Sequence, residues 1–215
     1  MSGLFLIALV VQLRLKKYVP AVYWLVVVLV SVVGTLISDN LVDNLGISLA
    51  TTSIIFGAAL ALVFICWWFS ERTLTVHDIV TTKRELFYWS AILFTFALGT
   101  SAGDLASEAS GLGYAISALM FGGLIALTTL SYYKLGVNAV LAFWIAYTVT
   151  RPLGASLGDL LSQQVKDGGL GFGTSVTTAI FLLVIVALVT YLSITKMDVI
   201  VTPDEDEDLD DESAA

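Results

Sequence analysis

The sequence has 215 residues, of which 58% are hydrophobic and 13% are charged, and its mean hydropathy is +0.92. A soluble domain is about half apolar and a quarter charged, so the polar residues here are too few to cover a water-facing surface, and the composition excludes a soluble protein. The formal net charge of −8 belongs to the C-terminal end, because eight of the 18 acidic residues lie within residues 204–212 and the other ten balance the ten Lys and Arg residues.

Thiol and imidazole groups are scarce in this sequence. Cys66 is the one cysteine, which excludes an internal disulfide and a thiolate metal cluster. His77 is the one histidine, and it leaves little for metal catalysis. We therefore expect no cofactor, and the sequence does not identify a metal site.

In chain order, the first apolar stretch is Gly3–Leu13. It lacks the preceding positive charges and the following cleavage site of a signal peptide, so it is interpreted as a span or the remnant of one. Six later stretches approach the roughly 20 helical residues that cross about 30 Å of hydrocarbon. Because the alternation typical of a membrane barrel is missing, all are predicted to be helices. They are Ala21–Ser38, Ile47–Phe69, Leu86–Gly103, Leu112–Tyr133, Ala139–Gly158 and Phe172–Thr195.

The distribution of positive charge predicts the orientation in the membrane. Basic residues concentrate in cytoplasmic connections, and with seven crossings eight of the ten Lys and Arg residues fall on one side. We expect that side and the C-terminus to be cytoplasmic in a multi-pass plasma-membrane protein, and Met1 to lie outside. The eight residues are Arg14, Lys16, Lys17, Arg72, Lys83, Arg84, Lys134 and Lys196.

An internal repeat is the strongest pattern in the chain. An aromatic residue and Trp are followed by Gly ten residues after the Trp and by Asp fifteen residues after it. The pattern occurs three times, with Trp24, Gly34 and Asp39, then Trp89, Gly99 and Asp104, then Trp144, Gly154 and Asp159.

Each copy continues through a Gly-containing turn into a second apolar helix, so the repeat predicts a two-helix hairpin. The predicted fold is an all-α membrane protein of about seven spans, in which three tandem hairpins follow one extra N-terminal helix. That helix fits the end of a further hairpin, so we expect an N-terminally shortened member of an eight-span design. The predicted units are 1–19 (remnant), 20–78, 79–136 and 137–200 (repeats), with an acidic tail at 201–215 that is expected to be disordered in the cytosol.

These repeated residues resemble a family of uncharacterised bacterial and archaeal membrane-anchored proteins, built from tandem two-helix repeats that each carry a characteristic Trp. The similarity extends over almost the whole chain except the acidic tail, and it implies an architecture without implying an activity. The residues that carry it are Trp24, Trp89 and Trp144, the Gly-Thr pairs 34–35 and 99–100, the Gly-Asp pairs 103–104 and 158–159, and the segments 142–147 and 150–159.

The repeated tryptophans and glycines favour structural roles. Trp24, Trp89 and Trp144 lie a few residues inside a polar connection, where an amphipathic indole usually anchors a helix at the membrane interface. Small residues four positions apart let helices approach closely in lipid, where packing must supply the attraction. The residues interpreted as helix packing are Gly34, Gly99, Gly103, Gly154 and Gly158.

The repeated aspartates have two interpretations. Asp39, Asp104 and Asp159 would each lie about 22 Å beyond their Trp along a helix, near the opposite side of the bilayer. Together with Asp43 and Glu108, four residues further on, they could form an oxygen-rich ring that suits hard cations or proton relay. Alternatively, each Asp ends its helix and caps the next one.

Arg151 occurs in one repeat only, and Ser31 and Phe96 take its place in the others. It lies about 10 Å beyond Trp144 along the helix, near mid-membrane, where a guanidinium requires partners. Pro152 also removes one backbone N–H from this helix. We expect an acidic residue from another repeat, or a water-filled cavity, to accommodate Arg151.

Three functions are weighed. A transporter or permease for a cation or a proton-coupled small solute would use the repeated acids as ion sites and Arg151 as a counter-charge. A non-catalytic membrane scaffold or interaction subunit is the alternative. An intramembrane aspartyl protease is a remote third, because the motifs 101–104 and 156–159 match its signature only in part.

The remaining expectations concern partners and activity. A retinal-type receptor is excluded, since the last span lacks a lysine for a Schiff base. The expected partners are the lipid bilayer, a small ion or solute and a second copy in a homo-oligomer, with no nucleic acid and no enzymatic activity.

Overall fold

The computed structural model describes residues 1–15, 19–76, 79 and 81–195, and in these parts of the chain the regular structure is entirely helical. Six helices are long and apolar enough to cross a membrane, and a seventh is shorter. The predicted fold class is therefore confirmed. The helices are α1 Ser2–Arg14, α2 Pro20–Asp39, α3 Leu49–Glu71, α4 Thr82–Asp104, α5 Tyr114–Leu135, α6 Ala139–Ser162 and α7 Gly173–Thr195.

The helix ends carry the local signals that start and stop helices. Pro20 stands in the first turn of α2, where its missing N–H costs nothing. The side chains of Ser48, Thr81 and Asn138 accept hydrogen bonds from the first backbone N–H groups of α3, α4 and α6. Gly136 ends α5 in the left-handed conformation, at φ 67°. The six predicted spans agree with these helices to within a few residues.

Two of the long helices end in a π-helical turn that the sequence did not predict. Asn40–Asn44 follows α2 and Leu105–Ala109 follows α4, so in both repeats the turn begins directly after the repeated Asp. Including these turns, the apolar segments are Pro20–Asn44 and Thr82–Ala109. α1 has 13 residues and is about 20 Å long, which is shorter than the hydrocarbon thickness.

The helices pack mainly between successive repeats, and the two helices of one repeat make little contact with each other. We call α2, α4 and α6 the first helices, because each begins a repeat, and α3, α5 and α7 the second helices. A second helix packs against the first helix of the following repeat, as α3 does on α4 and α5 on α6, and α1 packs on α2 in the same way. By contrast, α2 and α3, or α4 and α5, make no extended contact within the described residues.

The first helices pack side by side in the order α2, α4, α6, and glycines make this close approach possible. A Cβ added at Gly34 would lie 3.1 Å from the Leu93 carbonyl oxygen and collide with Phe96. At Gly99 a Cβ would collide with the Cβ of Arg151. Gly103 lies against α6 in the same way, because an added Cβ would lie 3.2 Å from the Cβ of Ala155. The structure therefore places Gly34, Gly99 and Gly103 at helix contacts.

Gly154 and Gly158 are different, and their interpretation as helix-packing residues is corrected. A Cβ at Gly154 would meet no atom within 4 Å, and one at Gly158 would make only an ordinary contact with Phe181 at 3.9 Å. Both glycines line a cavity instead of a helix contact. The reason is that α4 lies on one side of α6, and the described chain supplies no further first helix on the other.

Polar contacts connect the helices at the basic end of the bundle. Glu71 at the end of α3 accepts from the Arg84 Nε at 2.9 Å and pairs with the Lys83 Nζ at 3.2 Å, which joins α3 to α4. Gln12 of α1 donates to the Glu85 carboxylate at 3.1 Å. These contacts join the C-terminal ends of α1 and α3 to the N-terminal end of α4. The repeated aspartates lie at the opposite end of the bundle.

Some sequence predictions lie outside the described residues. They concern the acidic tail at 201–215, the connection residues Lys16, Lys17 and Lys196, and His77.

The close contact between α4 and α6 at Gly99 provides a test of stability. Gly99→Ala would place a methyl group against Arg151 in a contact that the backbones must widen, and overpacking of this kind costs about 1–3 kcal/mol. We expect a lower midpoint of thermal unfolding in detergent micelles. The matched control is Gly123→Ala on the exposed face of α5, where no atom lies within 4 Å, and its midpoint should equal or exceed that of the wild type. An unchanged midpoint for Gly99→Ala would contradict the close contact between Gly99 and Arg151.

Candidate functional site

A cavity of about 1080 Å³ lies among the first helices and α7. α2, α4 and α6 form three of its sides, and the first half of α7 closes part of the fourth. Its walls combine apolar side chains such as Val27, Val28 and Phe181 with hydroxyl and carboxylate groups. The size is that of a small-molecule site, which commonly measures about 300–1,000 Å³.

All six charged residues that the sequence singled out line this cavity. Each of the three first helices contributes its repeated Asp at the end opposite the basic connections. The π-helical turns add one further acid each, and both of these are exposed. The structure thus brings together Asp39, Asp43, Asp104, Glu108, Asp159 and Arg151.

The capping interpretation of the aspartates is not supported by the geometry. Asp39 and Asp104 precede the π-helical turns, and their side chains make no capping hydrogen bond. The N-cap of α3 is Ser48 and that of α5 is Gly113, so other residues begin the second helices. Asp39 and Asp104 therefore line the cavity without capping a helix.

The carboxylates surround the cavity without forming a coordination shell. Within the described part of the chain, no group of three or more His, Cys, Asp or Glu side chains is close enough together to hold a metal ion. Glu108 accepts a hydrogen bond from the Tyr114 hydroxyl at 3.1 Å, which holds it at the cavity mouth. The expected oxygen-rich ring is thus an open arrangement that does not enclose a bare metal ion.

Arg151 is held by aromatic rings. Its guanidinium carbon lies 3.8 Å from the centroid of Phe96 on α4 and 4.6 Å from that of Tyr147 on its own helix. Cation–π contacts of this kind are worth about 2 kcal/mol when they are desolvated. Arg151 makes no ion pair within 4 Å to any described carboxylate, so the expected acidic partner from another repeat is wrong, whereas the expected cavity is present. Its buried Nε has no hydrogen-bond partner.

Hydroxyl groups that the sequence reasoning missed also line the cavity. Thr35 and Thr100 hold equivalent positions in two repeats, and their Oγ1 atoms are 3.2 Å apart. Thr177 on α7 is 4% exposed, and its hydroxyl has no hydrogen-bond partner. The Gly-Thr pairs at 34–35 and 99–100 were a visible signal for the first two. Thr177 is one of four hydroxyl residues within 174–178, and nothing in the sequence distinguished it from the others.

The prediction that the repeated tryptophans are interface anchors is corrected for Trp89 and Trp144, which pack against protein. Trp89 and Trp144 are 3% and 5% exposed, so their rings contact protein and not lipid headgroups. Trp144 donates its Nε1–H to the Leu74 carbonyl at 2.9 Å, and Trp89 donates to Glu85 at 3.3 Å. Trp24 is half-buried and lines the cavity. The anchor interpretation failed because an indole near a helix end is equally suited to a protein partner.

Comparison with known proteins identifies the repeat. A family model described as Repeat of Unknown Function (DUF347) matches residues 22–73, 87–137 and 142–198. The chain belongs to this family. No curated protein and no solved structure matches it. The DUF347 description assigns no activity, so the function rests on the geometry of the cavity.

The shared cavity predicts that the three repeated aspartates are reached by water from the same side. In a Cys66→Ser background, cysteines at positions 39, 104 and 159 should react with a membrane-impermeant thiol reagent supplied at the face opposite Lys83 and Arg84. We expect their rates to exceed that of Ser101→Cys at least tenfold, because Ser101 is fully buried on the same helix as Asp104. Modification from opposite faces, or of one position alone, would contradict a common cavity.

Proposed function

We propose that this polytopic membrane protein is a transporter or permease for a small cation or a proton-coupled solute. The observation that carries the proposal is the convergence of one Asp from each of three repeats on a single cavity. Ionisable groups in a membrane segment are costly and are usually found where ions or protons move. Transport folds are also commonly built from internal repeats whose equivalent helices meet at the binding site.

The charge distribution of the cavity supports a cationic cargo. Five carboxylates and one guanidinium line it, so the walls are predominantly negative. Because the carboxylates form no coordination shell among the described residues, protons, hydrated ions or organic cations suit the site better than a dehydrated metal ion. In this proposal Asp39, Asp104 and Asp159 bind or relay the cation, and the exposed Asp43 and Glu108 attract it to the mouth.

Arg151 supplies a fixed positive charge at the deep end of the same cavity. It lies about 12 Å from Asp159 along α6, so it offsets the acids without neutralising any one of them. The rings of Phe96 and Tyr147 stabilise the charge while leaving its Nε unused. We assign Arg151 the role of a counter-charge that limits how far a cation enters, or that holds the anionic group of a coupled solute.

Buried aromatic residues separate this cavity from the basic end of the bundle. Tyr88, Trp89 and Trp144 pack near the starts of α4 and α6, one to two turns beyond Arg151. The hydroxyl of Tyr23 forms a short hydrogen bond with that of Tyr88 across the same layer. This arrangement supports a conformation that is open towards the aspartates and closed towards the basic connections, as alternating access requires.

A scaffold or interaction subunit is the second candidate function. It is favoured by one observation, the open space around Gly154 of the third repeat, where an added Cβ would meet no atom within 4 Å. For orientation, we propose that the basic connections and the C-terminus face the cytoplasm of a plasma membrane. We also propose that the protein catalyses no reaction, and that it forms a homo-oligomer.

Flux through proteoliposomes tests the transport proposal. We expect Asp104→Asn and Asp159→Asn each to reduce the flux of protons, K⁺ or tetraethylammonium at least tenfold, because a neutral amide removes the charge that attracts the cation. The matched control is Asp167→Asn, in the 3₁₀ turn Val165–Asp167 outside the cavity, which should retain wild-type flux. Wild-type protein that moves no proton, inorganic cation, organic cation or anion would contradict the proposal.

A further inference from the structure

The two ends of the cavity differ in the chemistry of their polar groups. Asp39, Asp104 and Asp159 line it at the end opposite the basic connections, which we call the acidic end. Arg151 lies eight residues before Asp159 on α6 and marks the deep end. The acidic end offers hydrogen-bond acceptors and the deep end offers donors, so the cavity is polarised along its length.

A buried hydroxyl accompanies the carboxylates at the acidic end. The backbone N–H of Leu170 donates to the Leu160 carbonyl at 2.7 Å, which fastens the connection before α7 to the end of α6. The first turns of α7 therefore lie beside the end of α6, and Thr177 on these turns lines the cavity. Thr177 is 4% exposed, and its hydroxyl has no hydrogen-bond partner among the described residues. An ammonium group, which has three N–H donors, suits this hydroxyl together with the carboxylates.

Donor groups without acceptors are found at the deep end. Arg151 makes no ion pair within 4 Å to a carboxylate of the described chain, and its buried Nε has no hydrogen-bond partner there. Trp24, near the start of α2, lines the same cavity, and its buried indole Nε1 also lacks an acceptor in the part of the chain that the structure describes. A buried donor without an acceptor is unfavourable, so an anionic group is the ligand that this end favours.

The wall between the two ends needs no polar partner. The Thr35 and Thr100 hydroxyls are hydrogen-bonded to each other at 3.2 Å, and the Ser31 hydroxyl donates to the Val28 carbonyl at 2.7 Å. The side chains of Val28 and Val184 add apolar surface to the lining. A ligand that crosses this part of the cavity can therefore present an apolar segment without leaving a hydroxyl unsatisfied.

The distance between the two ends sets the length of a ligand that reaches both. Arg151 and Asp159 are about 12 Å apart along the axis of α6. A hydrogen bond of about 3 Å at each end leaves about 6 Å between the charged groups of the ligand. This is a lower limit, because the guanidinium of Arg151 rests on the ring of Tyr147, one turn further from Asp159. The cavity of about 1080 Å³ has room for such a molecule.

We propose that the cavity binds an elongated amphoteric solute, in which an amine and a carboxylate are separated by a flexible apolar spacer. The amine donates to the carboxylates of Asp104 and Asp159 and to the hydroxyl of Thr177. The carboxylate accepts from the guanidinium of Arg151 and from the indole N–H of Trp24. A simple cation would satisfy the acidic end alone, and a simple anion would satisfy the deep end alone. This inference rests on the proposed function, because it names the solute that the same cavity would carry.

Equilibrium binding to the full chain in lipid nanodiscs tests this inference, with radiolabelled 6-aminohexanoate as the probe. We expect saturable binding, because this molecule carries both charged groups on an apolar spacer. Three competitors should each bind at least tenfold more weakly, since 6-aminohexanamide lacks the anion, hexanoate lacks the amine and free glycine is too short. A probe that does not bind saturably, or an amide or glycine that competes equally well, would overturn the proposal.

Substitution of Arg151 tests which group reads the carboxylate. Arg151→Gln should weaken binding of 6-aminohexanoate at least tenfold and change that of 6-aminohexanamide less than twofold, because the amide offers no anion to the guanidinium. Arg151→Lys keeps the charge and should retain more of the affinity. The matched control is Lys166→Gln, which removes a positive charge from the 3₁₀ turn outside the cavity and should bind as the wild type does. Equal losses for the acid and the amide in Arg151→Gln would assign Arg151 a structural role and overturn the proposal.

The binding assay contains no ion gradient, so its outcome is separate from that of the flux assay. Selective binding of 6-aminohexanoate without flux of any kind would contradict the transport proposal and leave this inference standing. Flux of protons or K⁺ in a chain that does not bind the probe would overturn this inference and leave the transport proposal standing.

Discussion

The close approach of the first helices is the constraint on which the rest of this structure depends. Lipid is as apolar as a leucine side chain, so burial alone does not draw two helices together in a membrane, and van der Waals contact must do so. Gly34 and Gly99 remove the side chain at the points where α4 and α6 approach. The three first helices therefore lie side by side, and residues at equivalent positions of the repeats come to equivalent depths.

The cavity follows from the same arrangement. Each Asp stands five residues after the repeated glycine, so close packing of the helices at Gly34 and Gly99 brings the three carboxylates to one end of the bundle. The second helices α3 and α5 pack on the following first helix, whereas α7 packs on α2 and α6 and closes part of the cavity. At Gly154 of α6 no first helix of the described residues makes the equivalent contact, and α7 covers only part of that side of the cavity. The same repetition thus explains the acidic lining of the cavity.

The spans, the repeat and the set of charged residues at the cavity could be predicted from the sequence, because each depends on apolar length or on spacing along a single helix. The pairing of helices could not, since the spacing from Trp89 to Asp104 is the same whether α5 packs on α4 or on α6. The burial of Trp144 and the aromatic environment of Arg151 depend on side chains from other repeats. The π-helical turns after Asp39 and Asp104 left no recognised signal in the residues that form them.

Cross-linking between equivalent positions of two repeats tests the account most directly. The Oγ1 atoms of Thr35 and Thr100 are 3.2 Å apart, so cysteines at both positions, in a Cys66→Ser background, should form a disulfide rapidly in native membranes under mild oxidation. A cysteine pair at Leu36 and Thr100, with Leu36 exposed on another face of α2, should remain reduced. If the pair at 35 and 100 stays reduced while the offset pair cross-links, the first helices do not meet in register, and the shared acidic cavity is contradicted.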